Sequence, residues 1–261
     1  MTFAIQRHLR DVEREYNFKV LFAVESGSRA WGFASPDSDW DVRFIYVHPI
    51  EWYLRVEDGR DVIEHMYSDD VDLVGWELRK ALRLFTRGNP SLFEWLHTPI
   101  IYHCDKGFIG QLLKLETNYF NPIHSMYHYH RIYVKHDERY LQREGFPMKR
   151  FLYYLRGVLA CRWIDTRHTL PPVPFDILVE ATIPEKAIKK EVERLLCMKR
   201  QSKEHDMALV SSVLFTYAQD MADHYRQHID EFRPKLMHEN KRHELDRLLY
   251  EMSKACSMPS I

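Results

Sequence analysis

The sequence predicts an α+β protein: a mixed sheet with flanking helices over roughly the first 110 residues, followed by an all-helical part. Three observations carry this. Short runs rich in β-forming residues, Val20 to Ser26, Val42 to Val47, Asp61 to Met66 and Val71 to Val74, crowd the N-terminal third. From Trp76 onward the apolar residues repeat at helical spacing. The change between the two patterns falls near residues 105 to 120, with no internal repeat or low-complexity stretch.

Element by element, residues 1 to about 19 read as a helix, because Ile5, Leu9, Val12 and Tyr16 share a face. The first strand, a turn at Gly27 and the second strand follow. Residues 48 to 60 are a connection with a short helix at Ile50 to Leu54. Trp76 to Arg87 is amphipathic through Leu78, Ala81, Leu82 and Phe85, and Gly88 suits its end. Asn89-Pro90 pairs a good N-cap with a good first helical residue. Asn121-Pro122 repeats that device before a helix to about Gln142. Met148 to Arg167 is another helix, Pro171-Pro172-Val173-Pro174 a stiff loop, and Pro184 starts a helix through Met198. Helices near residues 203–229 and 235–254 close the chain.

A chain of 261 residues with 45% hydrophobic residues has enough core for one large or two modest domains. A net charge of −1 argues against a wholly basic nucleic-acid coat while allowing a local basic patch. No apolar run is long enough for a membrane span, and the N-terminus lacks a signal-peptide core. The cysteines Cys104, Cys161, Cys197 and Cys256 are far apart, which fits a reducing cytoplasm.

The chemistry concentrates around the first turn. Gly27 lets the backbone bend sharply after an apolar strand, so the amide and hydroxyl of Ser28 can face a phosphate, and Arg29 can add a charge-assisted contact. Asp39 and Asp41 stand two residues apart, which on extended backbone puts both carboxylates on one face. Two such acids repel unless a cation lies between them, and Mg²⁺ (or Mn²⁺) takes one or two carboxylates plus substrate phosphate. Two ions about 4 Å apart can hold the attacking and departing oxygens of an in-line displacement. The third acid comes from Asp61, Glu64, Asp69, Asp70 and Asp72. Asp72, held between Val71 and Leu73, is the choice, with the role of binding metal and helping to deprotonate the acceptor hydroxyl; Glu64 is its rival. Alone, a Gly-Ser pair or an Asp-x-Asp in a Ser-Pro-Asp loop is ordinary turn chemistry. Their order and spacing, with strands on both sides, favour a nucleoside triphosphate site.

These residues resemble the nucleotidyltransferases of the DNA polymerase β superfamily, in Gly27-Ser28, Asp39-Trp40-Asp41 and the later Asp72. Longer stretches, Glu25 to Gly32, Asp37 to Arg43, Gly75 to Leu82 and Gly88 to Leu96, are similar to the stand-alone bacterial and phage branch predicted to act in RNA repair. The likeness continues through Tyr153 to Arg156 and Ala160 to Ile164. The resemblance implies a palm-like nucleotidyltransferase catalytic domain over residues 1–110 and a helical substrate- and nucleotide-binding domain over 111–261.

Within the helical part, basic and aromatic residues interleave between Lys114 and Arg156: Tyr119, Phe120, Tyr127, Tyr129, Arg131, Tyr133, Lys135, Arg139, Tyr140, Arg143, Lys149, Arg150, Tyr153 and Tyr154. Such a set suits single-stranded RNA if exposed, and helical core if buried. Lys149, Tyr153 and Arg156 share one helix face and can grip a triphosphate or take part in a structural salt-bridge network. His124, His128 and His130 lie close together but lack acidic or cysteine partners at a matching spacing for Zn²⁺. The expected function is Mg²⁺-dependent transfer of an NMP from an NTP to an acceptor hydroxyl, with an RNA end as the leading acceptor. The alternatives are the same chemistry on a protein or small molecule, and a non-catalytic nucleotide-binding or antitoxin-like module.

Overall fold

The computed structural model describes residues 1–140, 146–203, 206–208, 210–233 and 242–257. The chain divides into two compact units, one of Met1–Gly27, Asp39–Phe120 and Met237–Ile261, the other of Ser28–Ser38 and Asn121–Leu236.

The first unit opens with helix α1 (Thr2–Tyr16), which buries Ile5, Leu9 and Val12 and ends where Asn17 turns left-handed. Strand β1 (Lys19–Glu25) leads to a one-turn helix α2 (Gly27–Trp31), where the sequence predicts only a turn and where the chain passes into the second unit from Ser28 to Ser38. Then come β2 (Trp40–Val47), α3 (Ile50–Tyr53), β3 (Val62–Met66) and β4 (Val71–Glu77). Helix α4 (Leu78–Thr86) starts two residues later than its apolar pattern. Pairing with β2 continues to Tyr46 opposite Glu77, and the Glu77 carboxylate then caps the amides of Arg79 and Lys80. Helix α5 (Pro90–Leu96) begins as predicted, with Asn89 Oδ1 accepting from Leu92 N at 3.1 Å. Strand β5 (Ile101–Cys104), which the sequence reading omits, precedes α6 (Lys106–Tyr119). Four residues, with Ile101 and His103 exposed, give too weak an alternation to register as a strand.

Among the described residues these strands form a five-stranded sheet in the order β3-β4-β2-β1-β5. β2 and β4 run parallel, and the other neighbours antiparallel. One cluster of the core gathers Ile5, Leu9 and Val12 with Val20, Ala23, Val42, Phe44, Tyr46, Val71 and Leu73. Burying each such aliphatic or aromatic side chain contributes about 1.5–3 kcal/mol. Gly75 is small because the Phe44 ring fills the space its Cβ would take.

The second unit is helical. It contains α7 (Pro122–Tyr140), α8 (Met148–Arg167), α9 (Phe175–Thr182), α10 (Lys186–Gln201) and α11 (Ser212–His228). Asn121 caps α7, as its sequence suggests, by accepting from Ile123 N and His124 N. The predicted helix over 203–229 is shorter: Ser211 caps α11, and upstream β7 (Met207–Ala208) pairs with β6 (Phe146–Pro147). α8 is the centre of the core, where Leu152, Leu155, Val158, Leu159 and Ile164 are all buried. Tyr133 and Tyr154 lie inside and donate their hydroxyls to the carbonyls of Ala222 and Ala218. The last helix, α12 (Arg242–Ser257), belongs to the first unit, where Ser257 Oγ accepts from Ile50 N at 2.8 Å and Cys256 Sγ donates to Val47 O.

Candidate active site

In the first unit the acids are brought together by strand register. In the parallel β2–β4 pair, Asp41 stands directly opposite Asp72. Both side chains leave the same face, because directly opposed residues on neighbouring strands share a face. The Arg43 guanidinium, two residues along β2, closes the group: its Nη2 lies 2.9 Å from Asp41 Oδ1 and 2.9 Å from Asp72 Oδ2. Its Nη1 donates to the carbonyls of Val42 and Asp72. Glu64, the rival third acid, is exposed on β3 and pairs with Val74, two residues along β4 from Asp72. Register therefore sets Asp72, and not Glu64, beside Asp41. Asp39 is exposed and precedes β2; Trp40 N, next to it, donates to Asp70 O at 2.8 Å.

Gly27 meets this group from β1. Its φ is +60°, and a Cβ built on it would overlap Asp41 Oδ2. Only glycine lets backbone pass so close to the carboxylate. Ser26 N donates to Asp41 O at 2.8 Å.

Sequence reasoning passed over Glu25. This carboxyl side chain is fully buried at the end of β1. Its Oε1 accepts from the backbone N–H of Asp41 at 3.0 Å, and its Oε2 from the Tyr102 hydroxyl at 2.5 Å. Thr98 Oγ1 donates to the Glu25 carbonyl. Glu25 thus fixes the backbone that carries Asp41. The signal available in the sequence was an acid ending an otherwise apolar strand, Leu21-Phe22-Ala23-Val24-Glu25.

Oxygen donors of this kind suit a hard divalent cation, and Mg²⁺ needs only one or two carboxylates when phosphate supplies the rest. Asp41 and Asp72 meet that requirement. Among the described residues no group of three or more His, Cys, Asp or Glu is gathered as a metal site.

The second unit holds the other expected residues. Ser28 is buried and its carbonyl accepts from Phe33 N. Arg29 Nη2 donates to Ser38 O at 2.5 Å, so it braces the segment after the turn. Tyr153 meets Trp31 edge-on at 4.8 Å between ring centres, and Lys149 Nζ lies 5.9 Å from the Tyr153 ring centre. Arg156 is buried, stacks on Trp31 at 4.5 Å and donates to Val173 O at 3.1 Å. The face Lys149-Tyr153-Arg156 is therefore real, and it meets the segment beginning at Ser28. Its arginine is spent on an indole and on the carbonyl of the proline-rich loop. Much of the wider basic and aromatic series is core: Tyr129, Tyr133 and Tyr154, with Tyr119 of the first unit, are buried. The side chains of Arg139 and Tyr140, and all of Arg143, lie outside the described residues.

The profile of the family described as RlaP, RNA repair pathway DNA polymerase beta family, matches residues 1–251. The chain belongs to the RlaP family. The RlaP chain is 42% identical over 241 residues to the uncharacterized protein YcgL of Bacillus subtilis (strain 168), covering 92% of each. A solved nucleotidyltransferase-like protein from Exiguobacterium sibiricum 255-15 aligns over 96% of this chain and 77% of its own, at 13% identity and a TM-score of 0.32. Family membership makes the RlaP chain a nucleotidyltransferase of the polymerase β superfamily. None of its described helices is long and apolar enough to cross a membrane.

Proposed function

We propose that this RlaP protein moves an NMP from an NTP to the hydroxyl of an RNA end, with Mg²⁺ or Mn²⁺ as the cofactor. The observation that carries the reading is the β2–β4 register, which sets Asp41 beside Asp72 where the backbone of Gly27 closes on the Asp41 carboxylate. Two clustered acids need a positive partner, which Arg43 supplies in this structure and a divalent cation can supply beside a bound triphosphate, and nucleotidyl transfer is a chemistry that employs such an ion.

The division of labour follows from residue type. Asp39, Asp41 and Asp72 are the catalytic metal-ligating acids, and Asp72 also draws the proton from the acceptor hydroxyl. The cation would neutralise charge on the phosphates and on the departing pyrophosphate. Gly27, Ser28 and Arg29 bind phosphate, and Lys149 and Tyr153 take the nucleotide by charge and by stacking. Arg156 serves by holding Trp31 in place. An RNA acceptor is supported by the family description, whose RNA repair pathway implies broken RNA ends as substrates. A cytoplasmic setting agrees with that pathway and with thiols that form no disulfide among the described residues.

The test is incubation with each α-labelled NTP, Mg²⁺ or Mn²⁺, and an RNA with a free 3′ hydroxyl. Label should enter RNA with at least one NTP and should vanish with EDTA. Label on protein or on a metabolite extract, with RNA left unlabelled, would move the acceptor to another class. No label on anything with any NTP would overturn the catalytic reading.

A further inference from the structure

Lys199 is fully buried, although an apolar residue would fill a helix face without the cost of desolvating an ammonium. Its role is therefore to be sought in what it holds. Its Nζ donates to Ser35 Oγ at 2.6 Å, and Ser35 Oγ donates to the Lys199 carbonyl at 3.2 Å. The next residue, Arg200, sends Nε and Nη2 to the carbonyl of Gly32 at 3.2 and 3.0 Å. Both residues lie in the last turn of α10, where exposed carbonyls favour a cation.

The segment they grip closes on itself. Ser35 N donates to Ser38 Oγ, Ser38 N to Ser35 O, and Arg29 Nη2 to Ser38 O. Phe33 is buried against Phe175 and Tyr153. Residues 32–38 are thus anchored at a backbone carbonyl, a hydroxyl and a ring by residues more than a hundred positions away in the chain. The peptide bond after Ser38 leads to Asp39.

We propose that the C-terminal turn of α10 is a clamp on the segment between the Gly-Ser turn and Asp-x-Asp, with Lys199 and Arg200 as positioning residues for nucleotidyl transfer. The inference rests on the reading that Asp39 serves the transfer. A segment held at Gly32 and Ser35 restricts the path by which the chain enters Asp39. A loop freed there lets it wander, and a misplacement of about 1 Å can cost on the order of a hundredfold in rate.

The experiment compares Lys199→Met, Arg200→Gln, Arg200→Lys and Ser35→Ala with the unaltered chain. Amide hydrogen exchange over residues 32–38 and transfer from an α-labelled NTP are both followed. In Lys199→Met, Arg200→Gln and Ser35→Ala, exchange of these amides should speed up about tenfold or more. Turnover at saturating NTP should fall about 10- to 100-fold while KM for NTP stays within about threefold. Arg200→Lys keeps a donor for Gly32 O and should retain most of the turnover. If Lys199→Met does not fold, Ser35→Ala decides, since it removes one hydroxyl, which accepts from Lys199 Nζ and donates to the Lys199 carbonyl, and leaves α10 itself unaltered. Folded variants with unchanged exchange, or with faster exchange and full turnover, overturn the clamp. If the unaltered chain transfers no label, the transfer reading fails, and exchange alone then decides whether α10 holds the segment.

Discussion

The acid pair on β2 and β4 and the segment Ser28–Ser38 are held by different means. Asp41 and Asp72 owe their meeting to backbone periodicity: two extended strands in one register put their side chains side by side. The segment Ser28–Ser38 has no such periodicity. Its course is set by Arg29, Phe175, Lys199 and Arg200, which grip it through carbonyls, a hydroxyl and a ring. Regular structure places chemistry by counting. Irregular structure places it by contacts that the local sequence does not encode.

The largest effect that sharpens this contrast should come from the register-placed acids. Asp72→Asn should lower turnover about 10²- to 10⁴-fold, as loss of a general base does, with the melting temperature changed little because the repulsion with Asp41 and the ion pair with Arg43 are lost together. A variant with full turnover in the labelled-NTP assay would dissociate the β2–β4 pair from catalysis.

Gly27→Ala comes next, because Gly27 is where the two ways of placing residues adjoin in the chain. The added methyl meets Asp41 Oδ2, and φ is +60°. A stability loss of about 1–2 kcal/mol is expected in urea unfolding, with a clear fall in turnover. Wild-type behaviour in both would show that the approach of Gly27 to Asp41 is not needed.

Arg43→Met should have a smaller effect. Arg43 is the present countercharge of Asp41 and Asp72, so its loss should cost about 1 kcal/mol in metal-free buffer. Mn²⁺ should restore the melting temperature, since a divalent ion neutralises the same pair. Thermal melts with and without Mn²⁺ check this. A variant that melts like the unaltered chain in EDTA would show that the two acids need no counterion.

The effect that is smallest at neutral pH, and grows as the medium is acidified, lies outside both regions at His48. Burial, helped by Arg55, pushes His48 from its ordinary 6.5 down to about 4. The folded chain then binds fewer protons than the unfolded chain between those values, so His48 makes stability fall as pH drops from 6.5 toward 4. His48→Gln should flatten that slope in urea melts at pH 4.5 and pH 7. An unchanged slope would show that His48 takes up its proton without unfolding.

The fold was legible where periodicity was strong. α1, β1 and β2 lie close to where the spacing of Ile5, Leu9 and Val12 and the β-former runs put them, and α8 has the bounds read from the sequence, Met148 to Arg167. It was illegible where elements are short or depend on distant partners. β5 is four residues long, and α9 eight. The apolar pattern after Ser202 reads as helix until β7 pairs with β6, some sixty residues earlier in the chain.

The site divides the same way. Gly27-Ser28 and Asp39-Trp40-Asp41 stood out in the sequence because their spacing is local, within one turn and the start of one strand. Glu25 looked like the polar end of a strand, yet it holds the Asp41 amide from inside the core. Arg156 looked like a phosphate ligand, yet burial gave it to Trp31 and Val173.

By itself the sequence determined the class of chemistry and pointed to a glycine, a serine and two acids as candidates for it, because one turn and one strand suffice to space them. The tertiary structure alone decided which acid of β4 stands beside Asp41 and which residues hold Asp41 and the segment before Asp39. Those choices depend on strand register and on contacts across more than a hundred residues, where a single chain carries no period to read.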